Sequence, residues 1–511
     1  MCGICGELNF TGSSPDLSAL DRMTGQLISR GPDQSGTWSE GPLAFGHRRL
    51  TVIDPSFRSH QPMTDHKLGL TVVFNGTVYN YPVLREELRS LGYSFFSGGD
   101  TEVILNAYDA WGEHCPEHLQ GMFAFAIWDS RQEELFLCRD RLGIKPLYFS
   151  CTSEKFRFAS TMQALLAAGD VDTGIDPNAL HYQLTLHSVV PAPRTLLQGV
   201  RKLEPGTCMR LDLRGKQHVL RYWNLQARRP QCRLSESDWL EKIHSSLRSA
   251  VQQYFSIADV PVGVLLSGGL DSSLLVGLLA EAGVANLRTF SIGFEDTAKE
   301  RGNEFAYSDQ VAACFHTDHH RYTISNNEVL KYLPDAVRAM SEPLAAQDAV
   351  AFYLLSQRVS ESVSVVLSGQ GADEVFAGYF WYPLMAAEQG DILERFRKYY
   401  FDRSHAEFLE TVQPDYHAGD CTSELLRSLL AQDGAETDMD RILRLDVTTL
   451  LVDDPVKRVD NMTMAWGLEA RVPYLDHALV ETAFQMPMLK LFTTSRSIHT
   501  GIQSIFLTCG R

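Results

Sequence analysis

The second residue of the chain, Cys2, directly follows Met1. Loss of an initiator methionine before a small residue would leave this thiol beside its own α-amine. An α-amino group titrates near pH ~7.7–8, so it can serve as the general base that activates the nucleophile without a histidine. Taken alone, Cys2-Gly3-Ile4-Cys5 could be half a zinc site or a redox pair, but no second CxxC completes a ligand set. A second chemistry-bearing stretch is Ser267-Gly268-Gly269-Leu270-Asp271-Ser272-Ser273. It follows an apolar strand and opens a helix, so N–H groups, hydroxyls and the helix dipole converge where a phosphate would sit. It is not a Walker A loop, having no Gly-Lys-Ser or Gly-Lys-Thr. The run His316-Thr317-Asp318-His319-His320 invites a metal reading. No further Cys or His stands at a recognised spacing, and a polar loop at a strand end is the simpler expectation.

The elements that must position these groups fall into two rhythms. Up to about residue 195, short β-type runs (GLTVVFNG, MFAFAIWDS, ELFLCRD) end in Gly, Asn and Asp. Two helical patterns, PVLREELRSLG and TEVILNAYDAWG, space apolar residues at three and four, which predicts layered α+β with largely antiparallel sheets. Residues 191–233 are Pro/Arg-rich and are expected to be irregular and to wrap between domains. From Trp239 the grammar becomes strand, Gly-rich loop, helix, strand, as in VPVGVLLSGGLDSSLLVGLLAEAG followed by LRTFSIGF, which implies a parallel sheet. The helix after the loop puts Leu275, Leu278, Leu279 and Ala282 on one face and stops at Gly283, a natural C′ residue. The later run VSVVLSG repeats the pattern of an apolar strand entering a glycine loop.

With 511 residues the chain has room for two to four domains, and 44% hydrophobic with 21% charged residues is ordinary globular composition. A net charge of -17 would repel a phosphate backbone, so no nucleic-acid partner is expected. No stretch approaches the ~20 apolar residues of a membrane span, and the start MCGICGELNF is no signal peptide. The ten cysteines are scattered as reduced thiols of a cytosolic protein are, so the expected location is the cytoplasm. The expected partners are small-molecule substrates, with a homodimer left open.

The motifs MCGICG, RGPD, GHRRLTVID, FNG, GGDTEV, GMFAFAIWD and RDRLGIKPLYF, in this order, resemble the N-terminal-nucleophile glutamine amidotransferase domain of asparagine synthetases. The resemblance implies Cys2 as nucleophile, with the Asn75 side chain and Gly76 N–H as an oxyanion hole. Glutamine would be bound by Arg49, Leu50, Thr51, Val52, Ile53, Asn75, Gly76, Thr77 and Asp100. In that set Arg49 clamps the α-carboxylate through its planar fork, and Asp100 pairs with the ammonium. The family usually has an acidic residue where this chain has Thr77, so ammonium recognition leans on Asp100. For RGPD and RDRLG, turn and scaffold roles are an equal alternative to catalysis.

SGGLDSS resembles the pyrophosphate loop of ATP pyrophosphatases, which cleave between the α and β phosphates and so form acyl-adenylates. In that likeness a second loop, SGQGADE at residues 368–374, closes the other side. ATP would be held by Leu265, Ser267, Gly268, Gly269, Asp271, Ser272, Ile292, Ser368 and Gly369, and Mg²⁺ by Asp271 and Asp373. Asparagine-forming members usually carry Glu at the place of Gln370, so acceptor chemistry is expected to differ. VDNMTMAWGLEARVPYLDH, residues 459–477, matches the synthetase signature; its Arg471 and Asp476 are equally explained as buried structural charges.

The family implied is the glutamine-hydrolysing asparagine synthetases, with the N-acetylglutaminylglutamine amidotransferase branch nearest. The expected fold is an α/β/β/α antiparallel sandwich followed by an α/β parallel-sheet ATP pyrophosphatase-like domain. The expected division is residues 1–195 for glutaminase, 196–235 between domains, 236–490 for the synthetase and 491–511 as an atypical tail. The expected activity is ATP-dependent amidation of aspartate or of a blocked glutaminyl dipeptide, with ammonia passing through an apolar tunnel. The tail LFTTSRSIHTGIQSIFLTCGR has no Gly-Lys motif matching the family's, which leaves a truncated chain with impaired synthetase as an alternative. Other readings are a tRNA-modifying ATP pyrophosphatase and a dead scaffold.

Overall fold

Short apolar runs in the first 160 positions build two stacked antiparallel sheets, whose central strands are buried along nearly their whole length. The computed structural model describes residues 1–230, 234–295, 302–344 and 348–487. Among these, the first sheet runs in the order Arg201–Lys202, Tyr148–Cys151, Lys155–Ala159, Cys2–Asn9, Leu43–Arg49, Gln34–Glu40. The second runs Gln217–Arg221, Thr207–Asp212, Glu134–Arg139, Gly121–Asp129, Leu70–Val78, Met63–Asp65. Ile4, Leu8 and Phe45 meet Val73, Ala124 and Trp128 between the sheets, as inner faces of a sandwich do. The outer faces are covered by helices. Leu17–Gly25 and Met162–Ala167 lie on the first sheet, and Tyr81–Ser90 and Asp100–Trp111 on the second. This is the expected α/β/β/α order.

The stretch expected to be irregular is not so throughout. Its strands Thr207–Asp212 and Gln217–Arg221 extend the second sheet, and Arg201–Lys202 joins the first. Gln217–Arg221 is an exposed edge strand, where charge and prolines nearby are normal and an apolar alternation is not needed.

The third sheet is parallel, in the order Asp318–Ile324, Arg288–Phe294, Val262–Leu265, Val365–Leu367, Glu469–Arg471. Chain order reverses beside Val262–Leu265, which makes the carboxyl ends of that strand and of Val365–Leu367 the natural ligand crevice. Helix Leu270–Glu281 follows the first of these strands and Gly283 ends it at a φ of 79°. It is not one-faced as its spacing suggested, for residues 272–279 are all buried between helices on both sides. His319 and His320 belong to the edge strand Asp318–Ile324 and not to a loop; His319 Nδ1 bonds Thr289 Oγ1 at 2.8 Å.

Candidate active sites

Cys2 begins the inner strand Cys2–Asn9, and the Asn75–Thr77 stretch crosses it from the facing sheet. The Cys2 N–H donates to Asn75 Oδ1 at 3.0 Å. That bond turns the Asn75 amide so that Nδ2, fully buried, has no hydrogen-bond partner. A buried donor without an acceptor is costly, and one beside a nucleophile is what an oxyanion needs. Gly76 follows, where a Cβ would come within 2.1 Å of the Met122 carbonyl. Only glycine lets the chain lie this close. Burial pushes the Cys2 thiol up, with the N-terminal ammonium, the Leu50 N–H and Arg49 pulling it back. The resting group is therefore a thiol that requires a base.

The rest of the expected glutamine set surrounds this pair. Asp100 opens helix Asp100–Trp111, and its Oδ2 accepts from Val78 N at 3.1 Å. Burial raises its carboxyl to about 6. Leu50 N donates to the Met1 carbonyl, Thr51 N to Asp33 Oδ2 and Asp259 N to Val52 O, which fixes this stretch as backbone framing. Arg49 differs from expectation. Its Nη1 donates to Gln34 Oε1 and Ser56 O, and its Nη2 to Ile53 O and Asp54 O. The fork expected to clamp a substrate carboxylate is occupied by the loop that it holds. The carbonyls of a tight turn sit as close to the guanidinium as a ligand would.

Two residues from the other half of the chain reach this site, and sequence reasoning missed them as site residues. Glu469 Oε2 accepts from the Met1 α-ammonium at 2.7 Å, and its Oε1 accepts from Thr77 Oγ1 at 3.2 Å and Arg471 Nε at 2.6 Å. Against the cost of burial, the ammonium and Arg471 hold Glu469 at about 2. Thr77, which lacks the expected carboxylate, thus borrows one. Asp460 takes Arg30 Nη1 at 2.8 Å and Lys145 Nζ at 3.2 Å, while Arg30 Nε donates to the Cys2 carbonyl at 3.3 Å. The charges stand in motifs already quoted, Arg30 in RGPD, Lys145 in RDRLGIKPLYF and Asp460, Glu469 and Arg471 in VDNMTMAWGLEARVPYLDH, but nothing in their spacing pairs them. Arg471 is fully buried and donates also to the Tyr254 and Ile257 carbonyls, while its Nη2 has no partner.

The second site lies at the parallel-sheet crevice. Leu265, Ser267, Gly269, Asp271, Ser272, Ile292, Ser368 and Gly369 line one cavity of about 530 Å³. Gly268 does not line it; at a φ of 85° it turns the loop, and a Cβ there would strike Ser308 N at 2.5 Å. The loop is self-bonded, Ser267 Oγ lying 3.0 Å from Ser272 Oγ and Gly269 N donating to Ser267 Oγ at 3.2 Å. Phe290, Ile292, Phe352 and Leu355 give the cavity an apolar wall for a base, opposite the polar loop. Ile292 was expected here, whereas Phe290 on the same strand and Phe352 on helix Ala349–Ser360 were not, since apolar residues there read equally as core. A Cβ on Gly369 would meet Asp271 Cβ at 3.2 Å, so the two glycine loops touch. Asp271 lines the cavity and Asp373 does not; the Tyr474 hydroxyl donates to the Asp271 backbone carbonyl at 2.9 Å, and burial together with the charge of both carboxylates pushes that hydroxyl up. Two hard oxygen donors at a phosphate loop suit Mg²⁺.

Comparison with known proteins agrees with this pairing of sites. The glutamine amidotransferase domain family matches residues 1–223, and the asparagine synthase family matches residues 242–497. The glutamine-hydrolysing asparagine synthetase 3 of Bacillus subtilis is 32% identical, over 95% of this chain and 81% of its own. The chain belongs to the glutamine-hydrolysing asparagine synthetase family. Asparagine synthetase 1 of the same organism is 31% identical over 95% of this chain and 81% of its own. The amidase chyE of Penicillium rubens is 28% identical over 74% of this chain and 59% of its own. As a member of the asparagine synthetase family, the chain is an ATP-dependent ligase that takes its nitrogen from glutamine. Among the described residues no helix is long and apolar enough to cross a membrane.

Proposed function

We propose that the chain hydrolyses glutamine at Cys2 and delivers the ammonia to a carboxylate that it first adenylates at the 267–273 loop. Asn75 carries this reading, since its Oδ1 fixes Cys2 and its unpartnered Nδ2 is a donor without an acceptor. Loss of Met1 would turn the Cys2 N–H into the α-amine that takes the thiol proton. The thiolate then attacks the glutamine amide, the oxyanion forms against Asn75 Nδ2 and Gly76 N–H, and the α-ammonium returns its proton to the amide nitrogen as ammonia leaves. Water releases glutamate from the thioester. Asp100 and Glu469 supply negative charge for the substrate ammonium.

At the second site the acceptor carboxylate attacks the α-phosphorus of ATP, pyrophosphate leaves, and ammonia displaces AMP from the acyl-adenylate. Asp271 and Asp373 would hold Mg²⁺, which offsets phosphate charge when bound. The division at residues 1–195, 196–235 and 236–490 goes with this assignment, although strands from 201–221 pair with the amidotransferase sheets. One apolar cluster includes Met1, Leu50 and Met122 near Cys2 and Leu266 and Leu274 at the ATP loop, which supports a dry route for ammonia. Aspartate and a blocked glutaminyl dipeptide are the acceptors to weigh. Gln370 lines the ATP cavity as a neutral amide, which favours an acceptor other than aspartate. The tail 491–511 lies outside the described residues, and so does the reading of impaired activity built on it.

The test is Cys2→Ala. It should abolish glutamine hydrolysis, while ammonia at high pH still drives pyrophosphate release. Normal glutamine hydrolysis by the mutant would remove the nucleophile assignment.

A further inference from the structure

Beside the nucleotide cavity lies a second one of about 480 Å³. Arg458 on its wall donates to Asp348 Oδ1 at 2.7 Å, and Asp348 lines the nucleotide cavity, so one ion pair separates the two. Glu374, also on its wall, is the residue after Asp373. The cavity therefore opens where an acceptor bound for adenylation would extend away from ATP.

Its chemistry is acidic and aromatic. Glu374 and Asp446, 4% and 3% exposed, face it together with Asp454. Their bonds are to neutral donors: Tyr379 Oη donates to Glu374 Oε1 at 2.8 Å, and the Tyr382 and Tyr400 hydroxyls both donate to Asp446. Arg458 is the one lysine or arginine among the described wall residues, and it is already held by Asp348, with Asp454 at 3.6 Å. At the rim, His187 Nδ1 pairs with Asp402 Oδ1 at 3.3 Å. The inner carboxyls thus lack a counter-charge. Tyr379 and Trp381 stack at 4.3 Å, with Tyr400 edge-on to Trp381 at 5.8 Å. Aromatic faces beside carboxylates are the usual receptor for an organic cation.

We propose that this cavity receives the far end of the acceptor, and that the acceptor is a carboxylic acid bearing an ammonium, quaternary ammonium or guanidinium group at that end. The proposal rests on the ligase reading and deepens it. Aspartate fits less well, because its ammonium arrives with an α-carboxylate on the same carbon, which would lie against Glu374 and Asp446 with Arg458 already held by Asp348. A blocked glutaminyl dipeptide brings no positive charge to offset them. The volume lies within the ~300–1,000 Å³ of sites that hold molecules larger than an amino acid.

Calorimetry on the full chain tests this with three probes of matched length: δ-aminovalerate, its trimethylammonium form, and N-acetyl-δ-aminovalerate, in which the charge is gone. Both cationic probes should bind about tenfold or more tightly than the acetylated one. Trp381→Leu and Asp446→Asn should each erase most of that difference, with melting curves confirming the fold. Trp381 is only half-buried and carries the test should Asp446→Asn fail to fold. Equal binding of all three probes would overturn the proposal, as would indifference of Trp381→Leu. Pyrophosphate release is measured in parallel. Release with aspartate but no preference for cations would sink the cavity assignment and leave the ligase standing. Cation binding with no release from any acid would fail the ligase reading and the acceptor role with it.

Discussion

Asn75 and Gly76 show how little freedom the hydrolytic site has. Gly76→Ala must push aside the Met122 carbonyl, 2.1 Å from the new Cβ, and the oxyanion donors move with it. Losing one such donor costs a factor of roughly 100 to 1000 in turnover; steady-state glutaminase assays of Gly76→Ala and Asn75→Ala should both show it, with KM little changed for Asn75→Ala. Asp100 gives a pH dependence. Its raised value of about 6 means that the carboxyl is neutral at lower pH and charged at higher pH. Glutamine kcat/KM should therefore fall as pH drops through about 6 in the wild type, and this limb should vanish in Asp100→Asn. A profile unchanged by the substitution would remove Asp100 from ammonium recognition. At this scale the sequence was legible wherever chemistry and chain order coincide, as in Cys2 after Met1 and in the serines of the 267–273 loop. It was not legible for Glu469 and Asp460, whose partners stand 468 and 430 residues away.

At the scale of elements, the two glycine loops meet because the strands Val262–Leu265 and Val365–Leu367 are parallel neighbours. Contact between them is tight enough that Gly369→Val should crowd Asp271 and Ser272 N, each 3.2 Å from a Cβ. ATP-dependent pyrophosphate release should drop in that variant and glutamine hydrolysis should persist. Equal loss of both activities would point instead to general misfolding. Short apolar runs that end in turn residues or enter a glycine loop, such as GLTVVFNG and VSVVLSG, were readable from the sequence alone. The edge strand Gln217–Arg221 was not, since one exposed strand face needs no hydrophobic pattern. The helix Leu270–Glu281 misled in the other direction, because burial on every side leaves no polar stripe to orient it.

On the scale of the whole molecule, the hydrolytic site is completed by the synthetase half. Asp460, 3% exposed, holds Arg30 and Lys145 across that boundary. Asp460→Ala leaves two buried cations uncompensated, a loss of about 3–5 kcal/mol in stability; denaturant melts should show it, together with weaker glutaminase through Arg30. This joint was hidden in the sequence, for no local pattern tells which buried charges meet across domains. The central claim is that one molecule hydrolyses glutamine and spends that nitrogen on an adenylated carboxylate. The direct measurement is a single reaction containing amide-labelled glutamine, ATP, Mg²⁺ and a panel of carboxylic acids that includes aspartate and the cationic probes. Glutamate, AMP, pyrophosphate and labelled amide are then quantified together. AMP, pyrophosphate and labelled amide should form in equal amounts, with glutamate at least matching them. Glutamate without AMP or labelled amide from any acid, or ADP and phosphate in place of AMP and pyrophosphate, would contradict it.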